Sequence, residues 1–437
     1  MRSINKANLS TVWSKAQALN STVTSATEPT KPCNYMVWRV LDPVLLRQRQ
    51  EEESELKAHL ASHPDTSDAE KADMQKALTN PQVAVRVYMP FNEALSLVDG
   101  IDAKLVKAMP GTGAWMTVFT GGNSAEYESL VPELDLCHRP EFRHVLKLLS
   151  LLNCHNETGR GRGYYAFGEA GTGKTSSALW VAAVLGLPVV QFNCSEVTEV
   201  DDLFVRQIPD DGKWISTDGA LLRAVKHNWL CLVDELDLAP ASLPPALNDL
   251  IEAHAFSVPG FKDMVVKAQA GFHLIACGNT GFSGSEAGLY NGRNIIDSSF
   301  KSRCIVDKFD ELDKETIKQM IIARYQKPAE DGSTQEIEGL AESIASFSVN
   351  INALMKKEGI ADTFSPRSIN LFMDTLIENL SVLKSPLVYA LATALPLMQE
   401  DENFRQAAWT TFVAQMPELV ASANDFDRIW SEMYEPA

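Results

Sequence analysis

No stretch of the 437-residue chain approaches the ~18 uninterrupted apolar residues of a membrane-spanning helix. The first residues, MRSINKANLS, hold no apolar segment of the kind that directs secretion. Both absences predict a soluble cytoplasmic chain with no membrane association. Cysteine is sparse: seven residues, an odd number, occur with no CxxC pair, so neither a disulfide framework nor a zinc or redox centre is expected. Cys231 in WLCLVDE and Cys277 in LIACGN lie within apolar runs and read as small buried hydrophobes. Basic residues are in deficit, 39 Lys+Arg against 57 Asp+Glu for a net charge of −18, and a nucleic-acid backbone would meet net repulsion. Nucleic acid is therefore not the expected partner, although a local basic pore would override the global charge. Internal repeats and low-complexity tracts are absent too.

What is present is 45% apolar residues in a length suited to two or three domains. Residues 1–130 read as an N-terminal α/β module: RQRQEEESELKAHL (Arg47 to Leu60) has the pattern of a charged, solvated helix, and Ser67 with Glu70 forms a capping box for a second. In QVAVRVYM, Val83, Val85 and Val87 alternate as in a half-buried strand. PGTG at Pro110 to Gly113 resembles part of a phosphate loop but lacks the Lys and Ser/Thr that would follow, and reads as a turn. From about Leu134, short apolar strands alternate with helical stretches, as in a parallel sheet wrapped by helices. The strands are Tyr164 to Phe167, Pro188 to Phe192, Trp229 to Val233, Phe272 to Cys277 and Cys304 to Phe309. Beyond them the spacing turns helical, with ETIKQMIIARY and RSINLFMDTLIENL the clearest segments. The expected division is 1–130, a 131–310 nucleotide-binding core, and 311–437 as a helical lid with C-terminal helices.

The chemistry is concentrated in Gly168-Glu169-Ala170-Gly171-Thr172-Gly173-Lys174-Thr175, which follows a strand and opens a helix through Ser176. Glycines let the backbone N–H groups wrap phosphates, Lys174 reaches the β and γ phosphates, and the Thr175 hydroxyl ligates Mg²⁺. The expected ligand is ATP with Mg²⁺. WLCLVDE ends in Asp234, suited to the Mg²⁺ shell, and Glu235, suited to polarising a water for attack on the γ-phosphate. Asn279 on residues alone is equally a turn former, and Asn193 equally an ordinary strand end. GRGRG at Gly159 to Gly163 reads as a solvated loop.

These motifs resemble the AAA+ ATPases, and among them the MoxR-like branch that includes the cobaltochelatase ATPase subunit. The resemblance runs from about Val131 to Glu400 and rests on VPELD, GEAGTGKT, VDELDLAPASLPPALNDLIE, ACGNTGFSGSEAGLYNGRNIIDSSFKSRC and SPR at Ser365 to Arg367. It implies an AAA+ P-loop core with parallel sheet, helices on both faces, two β-hairpin inserts and a C-terminal helical lid. By it, Asn279 corresponds to the sensor 1 residue that orients the attacking water, and Asn193 to the residue that restrains the catalytic glutamate. Arg303 corresponds to an arginine finger reaching into the neighbouring subunit, with Arg293 a second candidate, and Arg367 to the sensor 2 arginine. DLFVRQIPDDGKWISTDGALLRA and AFSVPGFKDMVVKAQAG read as the branch's hairpins, turning at Asp210-Asp211-Gly212 and near Lys262-Asp263. Their Trp214, Phe261 and Lys262 either grip a substrate or contact neighbouring subunits. The implied function is a ring-forming motor, a homo-oligomer and by analogy a hexamer, that remodels or activates a partner protein, one with a von Willebrand A type domain among them. A nucleic-acid motor using Lys262 and Lys267, and an ATP-gated scaffold, are the alternatives.

Overall fold

The computed structural model describes residues 36–40, 58, 84–119, 129–158, 163–198, 203–210, 213–227, 229–253, 255–257, 265–267, 272–281, 293–294, 296–326, 334–360, 362–416 and 426–436. The two helices expected between Arg47 and Asn80 lie outside these residues, apart from position 58. So do residues 159–162 of the Gly/Arg run and the second hairpin's turn with Phe261 and Lys262.

The chain opens with an antiparallel three-stranded sheet in the order β1-β2-β3: β1 (Met36–Val40), β2 (Ala84–Pro90) and β3 (Gly113–Phe119), with short helices α1 (Phe91–Ser96) and α2 (Ala103–Ala108) between the last two strands. PGTG leads into β3 rather than a helix, and so cannot present a helix N-terminus to phosphate. Only β2 was expected from the sequence; β1 and β3 were not.

Helix α3 (Phe142–Thr158) then leads into the central sheet. Its strands β4 (Gly163–Gly168), β5 (Val189–Asn193), β8 (Leu230–Asp234), β11 (His273–Gly278) and β12 (Cys304–Phe309) are all parallel, in the order β12-β4-β11-β8-β5. All five expected strands are in it. Helices α4 (Lys174–Leu185), α5 (Ala220–His227), α6 (Leu243–Ala246), α7 (Asn248–Ala253) and α8 (Ser298–Ser302) connect them. Hairpins β6 (Val205–Asp210) with β7 (Lys213–Asp218) and β9 (Ala255–Ser257) with β10 (Val265–Lys267) occupy the two expected positions. Asp210 pairs with Lys213 at the end of the first hairpin, and 211–212 of its expected turn lie outside the described residues.

Side chains alternate between the sheet's faces with period two, and both faces are covered, so the strands read as continuous apolar runs. Tyr164, Ala166, Leu230, Leu232, Ile275 and Cys277 point into one cluster with α3 and α4. Tyr165, Cys231, Val233, Leu274 and Ala276 point into the opposite one, with α5, α6, α7 and Phe300 of α8. The first cluster also takes in Met89, Phe91, Leu95, Leu105 and Met116, and Phe91 lies 6.0 Å from Trp180 ring to ring. The N-terminal strands and helices thus pack against α3 and α4, the helices that cover this face of the sheet. No helix among the described residues is long and apolar enough to cross a membrane.

Among the described residues, seven helices follow: α9 (Lys314–Tyr325), α10 (Thr334–Lys357), α11 (Pro366–Asn379), α12 (Pro386–Ala394), α13 (Leu397–Glu400), α14 (Glu402–Gln415) and α15 (Phe426–Ser431). They pack around a third cluster that includes Phe347, Phe364, Phe372, Leu391 and Phe412. The start of α11 is closely specified. Pro366 occupies its first turn, Ser365 caps it by accepting from the Ser368 N–H, and Asn352 of α10 accepts the Phe364 N–H at 2.7 Å.

At the sheet edge, Asp307 of β12 is completely buried and accepts from Tyr164, from Lys147 Nζ at 2.6 Å, and bonds His144 Nδ1 at 2.7 Å. Burial opposes its ionisation, but hydrogen bonds from His144, Lys147 and Tyr164 prevail and hold its pKa below the ordinary value. A depressed carboxylate stabilises the fold above its unfolded pKa of ~3.9, and that contribution disappears as pH falls through the folded value. Asp307→Ala is expected to remove ~3 kcal/mol at pH 7 by leaving the donors unpaired. In urea unfolding, the stability gap between the native chain and Asp307→Asn should narrow as pH drops from 5 to 3.

Candidate active site

The C-terminal ends of β4, β5, β8 and β11 share one edge of the sheet, where open α/β sheets place ligands. From β4 the chain turns through the glycine-rich loop into α4, whose first-turn N–H groups have no partners within the helix. Gly168 has φ +151°, and a Cβ there would lie 2.1 Å from the Phe309 carbonyl oxygen. Gly171 has φ +78°, and a Cβ there would lie 2.5 Å from the Ser365 Cβ at the cap of α11. The loop is therefore wedged between β12 and the start of α11, and neither glycine tolerates a side chain.

Lys174 is buried, donating to the carbonyls of Gly168 at 2.9 Å and Glu169 at 2.7 Å; burial pulls its pKa down. Thr172 braces the loop by donating to the Glu169 carbonyl. Thr175 donates to Asp234 Oδ2 at 2.8 Å, so a hydroxyl and a carboxylate converge from α4 and β8. That oxygen pair suits a hard cation such as Mg²⁺, which Thr175 and Asp234 would hold. Behind them Cys277 is pushed up to about 12 by burial, so it stays a thiol. Asn193 pairs with Asp234 in the sheet register, next to the acid pair. Glu169 also meets the C-terminal helices: Lys356 at the end of α10 lies 3.9 Å from it and 3.3 Å from Glu311, and burial followed by the Glu311 charge raises the pKa of Glu169.

Glu235 follows Asp234 in a left-handed conformation, φ +53° and ψ +39°, alone in this among the described non-glycine residues. Such a conformation costs about 1–2 kcal/mol and persists where the surroundings fix it. The surroundings centre on Asp237, two residues on and fully buried. Its Oδ2 accepts the N–H of Asn279 and the N–H and hydroxyl of Thr280, each at 2.9 Å, and its Oδ1 accepts from Arg293 at 2.7 Å. The carboxylate thus ties the Glu235 turn to the Asn279 turn.

Arg303 stands elsewhere. It ends α8 immediately before Cys304, whose register partner is Gly163, while Phe309 pairs with Gly168. At ~3.3 Å per residue, the five steps from Gly163 to Gly168 put it about 17 Å from the phosphate loop along the strand, at the opposite edge. Arg367 is exposed in the first turn of α11, directly after Ser365 and Pro366, the two residues that meet the loop at Gly171.

Sequence reasoning missed Asp237 and His138. The signal for the first was an acid two residues after Glu235 in DELD, in a turn with no solvent to face. His138, buried, lies beside Gly173 with Nε2 3.1 Å from the Ser177 hydroxyl, and burial lowers its pKa to about 4, so it is neutral. Trp214 lies on β7 and Lys267 on β10.

A strand–GxxxxGKT–helix loop with a Thr–Asp oxygen pair and an adjoining glutamate, on a parallel sheet with both faces covered, defines a P-loop nucleoside-triphosphate-binding fold. Residues 167–304 match the AAA domain of the dynein-related subfamily, in keeping with the P-loop fold and supporting an AAA-type nucleotide-binding segment. The chain is 28% identical over 159 residues to midasin of Giardia intestinalis, a stretch covering 36% of this chain and 3% of that protein. With midasin of Dictyostelium discoideum it shares 28% over 163 residues, 37% of this chain and 3% of the other. An uncharacterized protein of Staphylococcus epidermidis is 26% identical over 245 residues, 55% of this chain and 85% of its own length. The likeness to the midasins thus spans only a small fraction of their length.

Gly171→Ala combines a left-handed strain of about 1–2 kcal/mol with a clash against Ser365, and should weaken nucleotide affinity by roughly tenfold or more, read by titrating a fluorescent ATP analogue.

Proposed function

We propose that this chain is a ring-forming AAA+ ATPase of the MoxR-like type, coupling ATP hydrolysis to the remodelling or activation of a partner protein. Lys174 and the loop amides bind the β and γ phosphates, Thr175 and Asp234 hold Mg²⁺, and Glu235 polarises the attacking water with Asn279 orienting it. When bound, Mg²⁺ supplies charge neutralisation at the phosphates. Asn193 restrains Glu235, and Arg367 couples the lid to the nucleotide.

The observation that carries the oligomer is the position of Arg303 at the sheet edge opposite its own phosphate loop. An arginine so placed serves a phosphate site only on another copy, which argues for a closed ring over a monomeric enzyme. A hexamer, and a partner bearing a von Willebrand A type domain, extend the reading by the MoxR-like resemblance. The net charge of −18 favours a protein partner over nucleic acid.

The test joins rate to size. Arg303→Ala should lower kcat by on the order of 10³-fold while nucleotide binding persists. Glu235→Gln should bind ATP, stall hydrolysis and retain the partner on copurification. Arg303→Ala hydrolysing at the native rate as a monomer would sink the ring, and full biological activity of Glu235→Gln would favour a nucleotide-gated scaffold.

A further inference from the structure

Arg293 belongs to the same segment as Arg303, yet its side chain is turned into its own chain. It is 11% exposed, with Nη1 2.7 Å from Asp237 Oδ1 and Nη2 3.7 Å from Glu235 Oε1. One guanidinium therefore spans two carboxylates, one fully buried and one at the phosphate site. Its backbone is strapped down beside it: the Asn294 N–H donates to the Asp237 carbonyl at 2.6 Å, and the Asn294 side chain to the Ala239 carbonyl at 2.7 Å. Asp237 in turn accepts the N–H groups of both Asn279 and Thr280, and Tyr165 of β4 donates to the Thr280 carbonyl at 2.8 Å. Glu235, with its left-handed backbone, is thus flanked by a cation whose own position is fixed by the carboxylate that holds the Asn279 turn.

We propose that Arg293 is a positioning residue acting within its own subunit: through Asp237 it fixes where the Glu235 carboxylate sits relative to Asn279, and so where the attacking water is polarised. This rests on the ATPase reading above and assigns Arg293 a role distinct from that of a finger reaching a neighbour. Asp237 is the anchor. It offers one oxygen to Asn279 and Thr280 and the other to Arg293, so the turns ending β8 and β11 keep their relative placement only while the arginine neutralises this buried charge. Glu235 is the adjustable element, since its contact with Arg293 is the longer of the two and its side chain is half exposed.

A positioning role predicts a loss in turnover without a loss in binding. With the full-length chain, Arg293→Ala should lower kcat on the order of 10- to 100-fold, as for other groups that orient a reactive ligand from behind. Affinity for a fluorescent ATP analogue should stay within about twofold, which also reports that the variant is folded. Arg293→Lys, which keeps the charge but not the fork, should recover part of the loss. Subunit mixing separates the two roles. If Arg293 acts within its own chain, combining Arg293→Ala with Glu235→Gln subunits leaves every site lacking one of the two groups, and activity stays low. Recovered activity in that mixture, an unchanged kcat for Arg293→Ala, or a rise in KM at native kcat would overturn the assignment while leaving the ATPase standing. A native chain with no ATP hydrolysis would overturn both.

Discussion

The arrangement depends on burying both faces of one parallel sheet. Parallel strands need crossover connections, and those connections cover the faces with helices, so every strand must be apolar on both sides. The same parallel register puts the C-terminal ends of β4, β5, β8 and β11 on one edge, where Gly168, Asn193, Asp234 and Asn279 come together from segments far apart in sequence. Packing and chemistry are set by one constraint.

Much of this was legible in the sequence because a doubly buried strand leaves a plain trace. Apolar runs such as LCLV and LIAC marked the strands, and the glycines before Lys174 marked the loop from β4 into α4. Ser365 and Pro366 announced the start of α11 by their capping chemistry. The N-terminal region was harder to read. Met36–Val40 and Gly113–Phe119 are short strands whose pairing partners lie far along the chain, and local alternation does not record non-local pairing. The contribution of Phe91 and Leu95 to the nucleotide-binding core was likewise invisible, since a residue's period tells which face is apolar but not what will cover it.

The acids and arginines of the site divide on the same principle. Lys174, Thr175, Asp234 and Glu235 could be assigned from spacing because their roles follow from local backbone geometry. Arg293 and Arg303 lie ten residues apart in similar polar surroundings, and only the fold separates them: one is drawn onto a buried carboxylate beneath the phosphate site, and the other is left at the far edge of the sheet. Asp237 escaped notice for the same reason. An aspartate in a turn is ordinarily solvated, and here the turn is enclosed by the sheet's own strand ends.

The C-terminal helices have a hydrophobic cluster of their own, and at the phosphate loop they meet the sheet through Ser365 against Gly171 and Lys356 near Glu169. A bundle cored in this way can pivot as a rigid lever, because turning it exchanges a few polar and glancing contacts and leaves its apolar interior whole. Any tilt of the bundle would be felt first at the loop, where Ser365 leaves no room beside Gly171.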